Sequence, residues 1–136
     1  MPTDARRIKT QPDTLYLRHG LAAGYRVGDV LYLSGMTGVG DDGRIVGPGD
    51  FAAQADQMFR NIDGILRAAG SDLSRVFKTT TFVTDMRCRA DWIAAKQRWF
   101  STPMPAGTLV EVNRFGSADA LIELEVIALA DGRVTG

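Results

Sequence analysis

Phe51, Ala55, Met58, Phe59, Ile62, Ile65, Leu66 and Ala69 recur at intervals of three and four residues, the spacing that lines one face of an α-helix. Asp50 stands where an N-cap carboxylate accepts from the first free N–H groups, and Gly70 where a helix ends on a left-handed residue. The pattern predicts a helix over residues 50 to 69 with one face on a sheet. A second helix, over about 90 to 100, turns Trp92, Ile93, Lys96, Trp99 and Phe100 inward as a mixed face. VLYLSGM, residues 30 to 36, is apolar on both sides, Val30 and Tyr32 against Leu31 and Leu33, so this strand wants cover on both. VFKTTTFVT, residues 76 to 84, is rich in β-branched and aromatic residues and reads as another strand. TLVEVN and LIELEVIALA add two more, joined by a turn at RFGSADA. Residues 15 to 27 suggest a short hairpin turning at Gly20 or Gly24. Residues 1 to 14 lack periodicity and read as a flexible arm ahead of a single domain, 15 to 136.

This order describes an α+β domain in which both helices pack on one face of a single sheet. The last strand decides what the other face does. Ile122, Leu124, Val126, Ala128 and Ala130 suit the helix side, while Glu123, Glu125, Ile127 and Leu129 share the opposite one. A face that mixes carboxylates with aliphatics is not a simply solvated one. If the last two strands pair, Glu111 joins it as a third carboxylate. Two helices cannot cover both sides of such a sheet, so the far side is expected to meet another copy of the chain.

Composition narrows the function. The 136 residues carry sixteen Lys and Arg against sixteen Asp and Glu, which leaves no long-range field to draw in nucleic acid or anionic membrane. The N-terminus is polar and lacks the apolar core of a signal peptide, and no apolar run approaches a membrane span, so cytoplasmic residence is the expectation. One cysteine, Cys88, excludes an internal disulfide and a cysteine-rich zinc site. Arg87 and Arg89 flank it and are expected to lower its pKa, but no histidine lies near it in sequence and the thiol reads as bland. GVGDDG, residues 38 to 43, has the letters of a dinucleotide loop. RIVGPG follows it, which cannot be a helix interior, and Asp41 and Asp42 repel phosphate, so a turn at Asp42-Gly43 is the better reading.

LYLSGMTG, AAQADQMFRNIDGILRAAGSDLSRVFKTTTFVTDM, PAGTLVEV and LIELEVIALA resemble, in order and spacing, the RidA family, also called YjgF or reactive intermediate deaminases and formerly L-PSP endoribonucleases. The resemblance covers residues from about 20 to 130 and includes Ser34-Gly35, Gln54, Asn61-Ile62, Thr84-Asp85, Pro105-Ala106 and Glu123. It implies a chorismate-mutase-like fold and a homotrimer whose sheets form a central barrel, with small-molecule clefts between subunits and no metal or organic cofactor. The implied reaction is hydrolysis of 2-imino or 2-enamino acids to 2-oxo acids and ammonia. The implied general base, or orienter of the attacking water, is Glu123.

Four positions depart from that family's pattern. Its P-A-R motif reads P-A-G here, so the arginine that clamps the substrate carboxylate is replaced by Gly107. A guanidinium offers two parallel donors to a carboxylate, and glycine offers none. Leu21 stands where the family has a cleft aromatic, Ile93 where it has an asparagine of the second helix, and Leu109 where it has a cysteine. Ser34, Leu21, Ile93, Gly107 and Leu109 are therefore candidate substrate-binding positions in a remodelled cleft. Arg18 and His19, in the early loop LRHGLAAG, are the candidates to supply a replacement cation. Glu123 has a plainer alternative, an ion pair with Arg114, Arg26 or Lys78. The expected function is hydrolysis of an imine-like or enamine-like metabolite other than the usual 2-imino acid. A non-catalytic small-molecule-binding trimer is the alternative, and RNA cleavage is disfavoured by the even charge.

Overall fold

The computed structural model describes the backbone of residues 1–136 and every side chain except those of Thr14 and Leu15. Helix α2, Phe51–Ala68, starts where Asp50 accepts from the Ala53 N–H at 3.0 Å, and closes on Gly70 at φ 79°. Its buried stripe is Ala55, Met58, Phe59, Ile62, Ile65 and Leu66, as the spacing predicts, with the polar Gln54 added. Helix α3, Arg89–Trp99, turns Trp92 and Ala95 fully inward and leaves Ile93, Lys96 and Trp99 half-buried. Phe59 joins the two helices: its ring stacks on Trp92 at 5.6 Å and Trp99 at 5.4 Å, and meets Phe100 edge-on at 5.2 Å.

Six strands form one sheet: β1 (Ala5–Arg7), β2 (Gly24–Val27), β3 (Val30–Leu33), β4 (Val76–Val83), β5 (Ala106–Glu111) and β6 (Ile122–Leu129). Their order is β1-β2-β3-β6-β4-β5, antiparallel throughout except for the parallel β4–β5 pair. The two parallel crossovers, β3 to β4 through α2 and β4 to β5 through α3, put both helices over Leu31, Leu33, Val83, Ile122, Leu124 and Val126, all buried. The α+β reading with two helices on one face holds.

Three local expectations are corrected. Residues 5–7, read as part of a loose arm, pair with β2, and Ile8 beside them is buried in the core. The hairpin is β2–β3 and turns at Gly28 and Asp29 with Gly28 at φ 59°; residues 14–17 form a short helix, α1 (Thr14–Leu17), closed by Gly20. The last two strands do not pair, because β4 lies between them. Glu111 falls opposite Val83, on the helix side, where its Oε1 accepts from the Met86 N–H at 2.8 Å. The turn expected at residues 42 and 43 is present: Gly43, at φ 80°, donates to the Gly40 carbonyl.

Candidate functional site

Alternation along β4, β5 and β6 sorts the candidate residues onto two faces. Glu123 lies opposite Phe82 and Glu125 opposite Thr80, so both carboxylates stand on the face without helices. Gly107 lies opposite Thr79, and Leu109 opposite Thr81, on the helix face, where both threonines are buried. Gly107 and Glu123 of one chain are thus on opposite sides of the sheet.

A cavity of about 480 Å³ gathers Glu123 with Arg18, His19 and Leu21 from the early loop, Gly35 after β3, and Phe115 from the loop before β6. Glu123 is half-buried. Burial raises its pKa above the ordinary carboxylate value, and the like charge of Glu125 adds to the rise. Among the described residues it forms no ion pair. Arg26 is engaged with Asp29 and the Gly28 carbonyl, and the Lys78 ammonium with the Thr79 carbonyl at 2.8 Å. Within the chain, then, neither Arg26 nor Lys78 is the salt-bridge partner of Glu123.

Gly35 explains how the carboxyl sits so close to backbone. A Cβ on Gly35 would lie 2.8 Å from Glu123 Cδ and 3.0 Å from Oε1, inside any real contact distance. Gly35→Ala should displace the flexible carboxyl toward solvent without unfolding the chain. The Glu123 pKa, followed by NMR titration, is then expected to fall back toward the ordinary value. An unmoved pKa would show that the carboxyl does not depend on this close approach.

Ser34 lines neither this cavity nor the next. Its hydroxyl donates to the Ala22 carbonyl at 2.6 Å, and its N–H to the Ala23 carbonyl, which pins the end of the early loop against β3.

The second cavity, about 370 Å³, lies between α3 and β5 and holds Ile93, Gly107 and Leu109 together with Arg89, Lys96 and Thr79. Gly107 is not simply a truncated side chain. Its Cβ would meet Thr79 Oγ1 at 2.9 Å, so the neighbouring threonine fills the root of any side chain at 107. The sequence put Lys96 on the inner face of the second helix and Arg89 beside Cys88, but gave neither a place in a cleft, because helical spacing does not show which strand a helix face meets.

Cys88 behaves differently from the expectation drawn from its flanking arginines. Burial and the nearby Asp85, Asp91 and Glu111 carboxylates raise its pKa. Arg87 is turned onto Asp85, whose carboxyl it holds at about 2, and is spent there.

The chain matches the family model described as Endoribonuclease L-PSP over residues 14–130. It is 35% identical over 102 residues to the RutC family protein y4sK of Sinorhizobium fredii, covering 75% of this chain and 80% of that one. The solved structure of the Rid-family protein YyfA from Yersinia pestis superposes with a TM-score of 0.84 at 28% identity, covering 93% of this chain and 99% of that one. RidA from an Antarctic Psychrobacter superposes with a TM-score of 0.74 at 31% identity, over 80% of this chain and 87% of its own. Sequence blocks, sheet order and superposition agree, and the chain belongs to the RidA/YjgF family, the Endoribonuclease L-PSP family of that model.

Proposed function

We propose that this protein is a homotrimeric hydrolase of imine-like or enamine-like metabolites, with Glu123 as the group that activates water. The observation that carries the reading is the Glu123 carboxyl: half-buried, raised in pKa, free of any ion pair among the described residues, and set at the edge of a 480 Å³ cavity. A carboxylate with those properties is a better base than a solvated one. It takes a proton from water as the oxygen bonds to the imine carbon and the C=N electron pair moves to nitrogen, and it returns that proton to the nitrogen; the hydroxyl proton follows the same route to make ammonia the leaving group. The tetrahedral intermediate then collapses to the carbonyl and expels ammonia.

Assembly follows from the open face. Tyr25 and Tyr32 are more than two-fifths exposed, and Val110 about a third, on a sheet surface that continues through the half-buried Phe82 and Ile127. Such a surface asks for cover by further copies. The opposite placement of Gly107 and Glu123 also favours a cleft built by two chains, one supplying the Glu123 cavity and its neighbour the edge at β5. The missing strand arginine at 107 directs the reaction away from small 2-imino acids, which depend on a bidentate clamp.

The test is ammonia release from freshly generated imines above their spontaneous hydrolysis, with solution mass measured alongside. Acceleration by a species three times the 14.8 kDa chain mass is the expected result. No acceleration with any imine would leave a ligand-binding trimer as the function, and a monomer would remove the shared cleft.

A further inference from the structure

We propose that the cavity between α3 and β5 is an anion pocket in which Lys96, with Arg89 further along the same helix, holds the carboxylate of a ligand that carries a bulky apolar body. The inference deepens the proposed function by naming a substrate class, and rests on that reading only for the reaction performed.

Arg89, Ile93, Lys96 and Phe100 follow one another at intervals of four, three and four residues, so one stripe of α3 and its C-terminal end faces the cavity. Two positive charges thereby enter a space whose other polar groups, Thr79, Thr81, Thr108 and Gln97, are neutral. Among the described residues no carboxylate lines it. Neither Arg89 nor Lys96 forms an ion pair among the described residues, in a chain where Arg7, Arg26, Arg67, Arg75, Arg87 and Arg98 all do. The Lys96 ammonium lies 5.5 Å from the Trp92 ring centre. That contact fixes the side chain through its quadrupole attraction yet consumes none of the three N–H donors.

The remaining wall is apolar: Ile93, Phe100, Met104, Pro105 and Leu109. At β5 the floor is formed by Gly107 with Thr79 Oγ1 against it, and no longer side chain projects from position 107 into the cavity. The volume, about 370 Å³, is at the lower end of pockets that enclose drug-sized molecules. A two- or three-carbon acid would leave most of it filled with water, whereas an aryl or branched-alkyl carboxylate covers the apolar wall while its anionic end reaches Lys96. The cation comes from the helix instead of from strand position 107, and with no long side chain at 107 the cavity beyond Thr79 is left to the larger body.

The test is calorimetric titration of the intact protein with phenylpyruvate, with its neutral methyl ester, and with inorganic phosphate, at low ionic strength and repeated in salt. Phenylpyruvate is expected to bind at least about tenfold more tightly than the ester or phosphate, the scale of one charge-assisted contact. Lys96→Met, which keeps the aliphatic stem over Trp92, should lose about that tenfold, and Lys96→Arg should retain it. Equal binding of the ester, equal binding of phosphate, native-like affinity in Lys96→Met, or no binding by the native protein would each overturn the pocket. Lys96-dependent binding in a protein that hydrolyses no imine would uphold the pocket and defeat the proposed reaction. Hydrolysis with no dependence on Lys96 would do the reverse.

Discussion

Glu123→Gln is expected to slow imine hydrolysis by about 10²- to 10⁴-fold while leaving ligand affinity within a few-fold, because it removes a proton acceptor and changes almost no volume. The amide fits where the carboxyl was, against Gly35 and on the open face beside Phe82. Two pH profiles sharpen this expectation. Burial and Glu125 raise the Glu123 pKa, so in the native enzyme kcat/KM should fall about tenfold per pH unit below that raised value. Stability moves the opposite way. The folded state holds the Glu123 proton more tightly than the unfolded chain does, so this residue favours folding at acid pH, and its contribution declines as pH rises from the ordinary glutamate range through the raised value. Glu123→Gln should therefore lose both the acid limb of the rate profile and that decline in melting temperature. A variant that keeps native turnover would remove Glu123 from the reaction.

Gln54→Met should lower stability by about 3 kcal/mol, or roughly 10 °C in melting temperature for a domain of this size. Gln54 is wholly buried on the inner stripe of α2. Its Nε2 donates to the Gly47 carbonyl at 3.3 Å and the Asp119 carbonyl at 3.0 Å, and its Oε1 accepts from the Leu121 N–H at 2.9 Å. Methionine fills the same space and removes the side-chain partners of the Asp119 carbonyl and the Leu121 N–H, while the Gly47 carbonyl keeps the Asp50 N–H at 2.7 Å. The backbone around Gln54 is as constrained, since a Cβ on Gly38 would lie 2.5 Å from its carbonyl oxygen. Those bonds also tie together the loops that carry Ile45 and Phe115 to the Glu123 cavity, so activity should fall with stability. Urea unfolding checks the first effect and turnover under fully folded conditions the second. A loss below about 1 kcal/mol would mean that the loops find other partners, and the network would not be what holds them.

The helical stripe of α2 was legible because apolar spacing is a local property: Asp50, Phe59, Ile62 and Gly70 take the places that spacing and capping assign them. The same holds for the two faces of β6, since Ile122, Leu124 and Val126 are buried and Glu123 and Glu125 are not. Gln54 was legible only as part of a family resemblance. Its burial is polar, and polarity at a stripe position reads from sequence as surface until the three backbone partners from distant loops are known. The neighbour of β5 was open in the sequence for a related reason. Pairing with β6 was only a condition there; α3 makes β4–β5 a parallel crossover and places β4 between them.

By itself the sequence determined the kind of element at each place, the apolar side of each, the charge balance, the family, and the loss of a strand cation at Gly107. These depend on residue type and short-range spacing, which a linear chain displays. Only the tertiary structure decided that Gly107 and Glu123 lie on opposite faces, that Glu111 leaves the carboxylate face, that Thr79 sits against the glycine, and that Lys96 and Arg89 share its cavity. Each of those is a matter of which strand lies beside which, and strand register is set by contacts between residues far apart in the chain.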